Sequence, residues 1–143
     1  MVSNAHDFLK QLIEPITKSC KYAMESPKDM KEKFLPDSKK FDQNRHEVIS
    51  FDAKKLFTSI NTNRVISEIL IIIYRNPAKF FTDKDDNGRP LPFPERSNLR
   101  KFMHSVLTSY NIFECQLGIY KQRSGIAMGS SLSNSLANIF VNI

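Results

Sequence analysis

The chain has only two cysteines, Cys20 and Cys115, and neither has a Cys or His nearby at metal-ligand spacing. This excludes a disulfide-stapled scaffold and a zinc site built on paired thiolates. The two are read as reduced, half-buried thiols without a disulfide partner, in an intracellular protein whose compartment, nucleus or cytoplasm, is left open. Long apolar runs are also missing. Ile69 to Ile73 is far too short to cross a bilayer. Residues 125–143 carry no charge, but they are rich in Ser and Asn, so no span and no membrane partner are expected there. Met1 is followed by Val-Ser-Asn-Ala-His-Asp with no apolar stretch, so no signal peptide is expected. There is no internal repeat, long linker or low-complexity tract.

What is present is an ordinary globular composition. With 143 residues, 41% hydrophobic and 25% charged, the chain fits one domain or a piece of a larger one, with enough apolar material for a core. The net charge of +6 favours a polyanionic partner, of which nucleic acid is the commonest. A basic protein with no such partner is the alternative.

Periodicity organises the chain. Ser3 or Asn4 caps a first helix whose face holds Ala5, Phe8, Leu9, Leu12, Ile13, Ile16 and Cys20, with Pro15 inside to kink it. Ser26-Pro27, with Asp29 after them, opens a second helix running to about Leu35. Residues 36–46 read as a loop, and Glu47 to Asp52 as a strand. Asn61 or Thr62 caps a helix through about Arg75, apolar enough to be buried on most sides, which Asn76-Pro77 ends. A polar loop over 82–96 precedes a helix from about Ser97. Ile112–Gln116 and Ile119–Gln122 flank Leu117-Gly118 as a hairpin. A last helix begins at Ser130 or Ser131. No glycine, proline or basic turn closes it, so a chain truncated inside an element is expected.

Chemistry concentrates in two segments. In the first, Val48, Ser50 and Asp52 alternate onto one strand face, which puts the Asp52 carboxylate at the strand's end. An aspartate there is more often a turn former or helix cap. Its company raises the functional reading: Phe57 follows, then the hydroxyl pair Thr58-Ser59. A carboxylate is the hard oxygen ligand that magnesium needs, although a two-metal site needs at least one more. Phe57 beside a bound nucleotide would leave no room for a 2′-hydroxyl; the plain alternative is a core phenylalanine. Lys54 and Lys55 are candidates for template or nucleotide phosphates, or simply a solvated face. In the second segment, Gly125, Met128, Gly129, Ser130 and Ser131 form a loop feeding a helix, where backbone can approach a base or phosphate. An ordinary capped helix start is the alternative.

Other patterns fail on spacing. Asp83-Lys-Asp85-Asp86-Asn87-Gly88 matches half of an EF-hand loop, but the twelfth position is Pro94, so a solvated turn is expected. Asp85-Asp86 lacks flanking strand formers and is rejected as a catalytic pair. Gly118-Ile-Tyr120 begins a nuclease signature that has no second half. His6, His46 and His104 are scattered, with no nucleophile to join.

Taken in order, Val48–Ile60, Ile112–Gln122 and Gly125–Phe140 resemble the reverse transcriptase domain, most closely the Penelope-like retroelement type. The form Ala127-Met-Gly-Ser130, where many relatives have Pro-Gln-Gly, points to that type. The resemblance implies an RNA-directed DNA polymerase acting by two-metal nucleotidyl transfer with Mg2+ or Mn2+. Its partners would be an RNA template, a DNA primer and dNTP. It implies that Asp52 is the first metal-binding aspartate, with the Ala53 backbone carbonyl as a further ligand. Phe57 becomes the sugar-selecting aromatic. Gly125, Met128, Gly129 and Ser130 become the loop that positions template and nucleotide, the Met128 contact being apolar.

The fold implied is α/β in the α+β sense: a partial polymerase palm with flanking helices and a small antiparallel sheet of two to four strands. Residues 1–45 would be the helical region before the palm and 46–143 the palm portion. The family's paired aspartates have no counterpart before Ile143, so this chain alone is expected to be inactive. Two alternatives stay open, a non-catalytic nucleic-acid-binding module and a decayed retroelement fragment that scarcely folds.

Overall fold

The computed structural model describes residues 2–20, 26–38, 52–109, 111–127, 130 and 132–142, with single positions 40, 42, 45, 47 and 49. Most of the described chain is helix. α1 runs over Val2–Ser19 and α2 over Pro27–Ser38. A short α3, Leu56–Ser59, leads into α4, Thr62–Arg75. A 3-10 turn at Pro77–Lys79 follows, then α5 over Arg96–Ser109. Strands β1 (Ile112–Cys115) and β2 (Gly118–Lys121) precede α6, Ser133–Val141.

The core lies between α1, α4, α5 and α6. α4 packs on α5, and α1 packs on α4, α5 and α6. Leu9, Ile13, Ile66, Ile69, Leu70, Ile73, Met103 and Leu136 are fully buried there. Each such side chain contributes roughly 1.5–3 kcal/mol on removal from water. Ile60, Ile126 and Leu132, from the connections, seal the same cluster. This is the stripe that helical spacing predicts for α1, α4 and α5.

The ends of the elements have local causes. Asn61 caps α4, its side-chain oxygen accepting the Arg64 N–H at 3.1 Å. Asn76, at φ −148° and ψ 74°, has left the helical region that a following proline disfavours, and α4 stops there. Ser26 Oγ accepts the Asp29 N–H at 3.1 Å and starts α2. α1 continues through Pro15, which is exposed.

The hairpin forms where expected. β1 and β2 pair antiparallel with Phe113 opposite Tyr120, their rings stacked at 5.8 Å. Every residue of both strands is exposed, so the hairpin is held by its own ladder and not by a buried face.

Three expectations are corrected. Of the strand expected over 47–52, the described residues Glu47, Ile49 and Asp52 have no strand conformation, and Val48, Ser50 and Phe51 lie outside the described residues. A strand needs a partner for its ladder, and β1 and β2 of the single described sheet pair with each other. α2 runs past Leu35 to Ser38, because a proline removes its own N–H bond without stopping the next residues from holding helical angles. α4 is buried along one face and not on most sides: Val65, Ile66, Ile69, Leu70 and Ile73 are covered, while Ile71 and Ile72 are 39% and 37% exposed. The architecture is helix-rich with one small antiparallel sheet.

Candidate functional site

The two sequence segments meet through backbone. Gly125 holds φ +79°, a conformation glycine adopts at little cost. A Cβ there would run into the Phe57 carbonyl oxygen and stand 2.6 Å from Thr58 Cα. Only a residue without a side chain fits that approach. Ile126 N–H donates to the Phe57 carbonyl at 2.9 Å. Thr62 Oγ1 donates to the Gly125 carbonyl at 3.2 Å. Residues 57–62 and 125–126 are thus clamped together, although the hydrogen-bonded pair Thr62 and Gly125 is 63 positions apart in sequence.

Upstream of the clamp the chain turns sharply. Lys55 is left-handed at φ 58°, ψ 35°, where a residue with a side chain carries roughly 1–2 kcal/mol of strain. Its carbonyl compensates by accepting three hydrogen bonds, from Ser59 N–H at 3.1 Å and from the Thr58 and Ser59 hydroxyls at 3.0 Å each. The turn delivers Asp52, Ala53, Lys54 and Lys55 to solvent, all four exposed. Asp52 is in no ion pair among the described residues. It is five residues from Phe57, within roughly 17 Å of chain even if fully extended. Phe57 is half-buried and packs against the core cluster, so its ring is anchored on one side.

The glycine loop is placed in part. Met128 and Gly129 lie outside the described residues, as does Ser131. Ser130 is half-buried, and its hydroxyl accepts the Leu132 N–H at 3.3 Å. Its carbonyl accepts the Ser133 N–H at 3.0 Å, and Ser133 Oγ donates to the Ala127 carbonyl. The serine thus builds the turn into α6. The helix proper begins at Ser133, with Leu132 at the N-cap position and no side-chain cap bond.

As a metal centre the donor set is partial. Among the described residues no group of three or more His, Cys, Asp or Glu side chains converges. Asp52 and the Ala53 carbonyl offer few of the six oxygens magnesium takes. That fits one ion carried in by a nucleotide's phosphates and shared with one carboxylate. It does not fit a two-metal centre supplied by these residues alone.

The remaining chemistry-bearing side chains are accounted for locally. Asp85 accepts the Asn87 and Arg89 N–H groups at 2.9 and 2.8 Å, a side-chain turn, as expected for the EF-hand imitation. Cys20 is half-buried, and burial pushes its thiol pKa up, away from the nucleophilic thiolate; Cys115 is exposed. His6 is buried in α1. Desolvation lowers its pKa from 6.5, partly opposed by the neighbouring Asp7.

Sequence reasoning missed the cavity beside the clamp. It measures about 470 Å3 and is lined by Thr58, Ser59, Thr62, His104, Asn111 and Arg123, among others. Arg123 stands next to the Ser124-Gly125 turn, a proximity that was visible in sequence. His104 and Asn111 come from elsewhere, and nothing in the sequence ties them to this place. Among the described residues no helix is long and apolar enough to cross a membrane. Comparison with protein-family models, with curated proteins and with solved structures finds no match to this chain.

Proposed function

We propose that residues 52–60 and 125–130 form one nucleotide site belonging to an RNA-directed DNA polymerase of the reverse-transcriptase type, of which this chain carries a part. The clamp of Gly125 and Ile126 on the Phe57–Thr58 backbone supports the reading most directly, because it joins the two motifs on which the resemblance rests. Asp52, with the Ala53 carbonyl, would hold Mg2+ or Mn2+ arriving with dNTP. Such ions, in a full set, activate a primer 3′-hydroxyl and stabilise the pyrophosphate leaving group.

The chain's own residues would do the rest. Phe57, anchored against the core, sets a rigid floor under the sugar and selects deoxyribonucleotides by excluding a 2′-hydroxyl. Gly125 lets the chain pass closely over the Phe57–Thr58 backbone. Met128, Gly129 and Ser130 would meet the base and template, as the resemblance implies. The exposed Lys54 and Lys55 reach toward phosphates. The template would be RNA and the primer DNA. One carboxylate cannot complete the metal set, so this chain alone should give no primer extension.

Equilibrium binding of Mg·dNTP and Mg·rNTP tests the site. Asp52→Asn should weaken dNTP binding by about tenfold, roughly 1.4 kcal/mol. Phe57→Ala should narrow the preference for dNTP over rNTP. Wild-type affinity in Asp52→Asn, with unchanged discrimination in Phe57→Ala, would refute the assignment.

A further inference from the structure

We infer that a basic groove between the start of α4 and the outer face of α5 holds the sugar–phosphate backbone of a nucleic-acid strand, through Arg123, Lys101 and Arg100. The inference deepens the proposed function and rests on it for the identity of the polyanion; the groove's charge stands independently.

Two cavities make up the groove. The first, about 470 Å3, adjoins the Gly125 clamp and contains Arg123. The second, about 450 Å3, contains Arg100 and Lys101. Asn63, His104 and Thr108 line both, so the two are continuous. The chain has 15 Asp and Glu residues, yet none lines either cavity. Among the described residues, Arg100, Lys101 and Arg123 are in no ion pair. The Arg100 guanidinium donates to Ser67 Oγ at 3.2 Å, a neutral partner that fixes its position and leaves its charge uncompensated. The positive end of α4, a fourteen-residue helix, opens on the same wall.

The other lining groups favour a ligand that bears both charge and hydroxyls. Thr58, Thr62 and Thr108 each donate their proton to a backbone carbonyl, which leaves each oxygen able to act only as an acceptor for a ligand. Asn111 is only 7% exposed, and its side-chain oxygen has no hydrogen-bond partner among the described residues. A carboxamide can turn end for end, so this group offers the cavity either a donor or an acceptor. Cations for phosphate, one of them held by Ser67, and acceptors for sugar and base hydrogens suit a polynucleotide better than an acidic peptide. The groove begins at the clamp, so a strand lying in it would pass Thr58 and Gly125, beside the Phe57 backbone.

The test is fluorescence anisotropy of a labelled twelve-nucleotide single-stranded RNA, in EDTA and without nucleotide. The outcome is then independent of whether Asp52 binds a metal. Lys101→Ala/Arg123→Ala, both at exposed positions, should bind at least about tenfold more weakly than wild type at 0.1 M salt. Losing two phosphate contacts should also flatten the slope of log K against log salt by roughly 1.4. The charge-matched control Lys10→Ala/Lys31→Ala, on α1 and α2, should change affinity less than about threefold by general electrostatics. Unaltered circular dichroism in both variants establishes that they fold alike; if the groove variant does not fold, the charge reversal Lys101→Glu is read instead, with the same expected loss. Equal affinities in the groove and control variants, or no RNA binding by the wild type, would overturn the proposal. So would a poly-glutamate peptide that competes as well as RNA charge for charge.

Discussion

Gly125→Ala isolates the contact on which the site depends, and Gly88 supplies its control. Both glycines are left-handed, at φ +79° and +76°, so the strain of giving the position a side chain is nearly the same. That term is roughly 1–2 kcal/mol. The surroundings differ. A Cβ on Gly88 meets nothing within 4 Å, whereas one on Gly125 overlaps the Phe57 carbonyl and stands 2.6 and 2.9 Å from two backbone atoms of Thr58. Backbone cannot swing aside as a flexible side chain can. To relieve the overlap the loop must lift, losing the Ile126-to-Phe57 hydrogen bond and the Thr62-to-Gly125 bond. Overpacking of this kind costs about 1–3 kcal/mol, and each hydrogen bond about 1. Gly88→Ala should therefore lose about 1–2 kcal/mol and Gly125→Ala about 4–7. A cooperative urea transition followed by circular dichroism would resolve that difference, which is a large share of a typical domain's 5–15 kcal/mol. Losses within about 0.5 kcal/mol of each other would refute the clamp, since that is the usual scatter of surface substitutions.

Other expected outcomes follow from single interactions. Asn61→Ala removes the α4 cap and should cost about 1 kcal/mol in the same denaturation assay. Tyr74→Phe deletes the bond from its hydroxyl to the Pro94 carbonyl and should lower stability by about 1 kcal/mol, a value the urea midpoint would report. His6 makes folding pH-dependent. Its pKa is below 6.5 in the folded state, so its neutral form is favoured there. Above pH 6.5 both states are neutral and stability is full; below it the unfolded chain binds the proton first, and stability falls until the folded value is passed. The Tm should drop between pH 7.5 and 5.5, and His6→Gln should flatten that drop; an equally steep His6→Gln profile would exclude His6 as the cause.

Much of the fold was legible because its signals are local. α4 is bounded by Asn61 and Asn76-Pro77, and both act where they stand. The hairpin follows from alternation around Leu117-Gly118, and α2 from Ser26-Pro27. The strand expected over 47–52 is not found at Glu47, Ile49 and Asp52, because alternation shows only that a segment could join a sheet, while forming one requires a neighbour. Within the site, Asp52 and Phe57 could be nominated from their residue types, but nothing local shows that Gly125 rests on the Phe57 carbonyl. Nor is the left-handed Lys55 legible, since no glycine or asparagine marks it. Arg100, Lys101 and Arg123 share no motif in the sequence, and only the fold gathers them along one groove.

Paramagnetic mapping addresses the central claim most directly. Mn2+ added with dNTP should broaden the backbone amide signals of Asp52, Ala53, Phe57 and Ile126 together. Asp52→Asn should abolish that broadening while leaving the fold's spectrum intact. Broadening confined to Asp83–Asp86, or a pattern indifferent to Asp52→Asn, would contradict it.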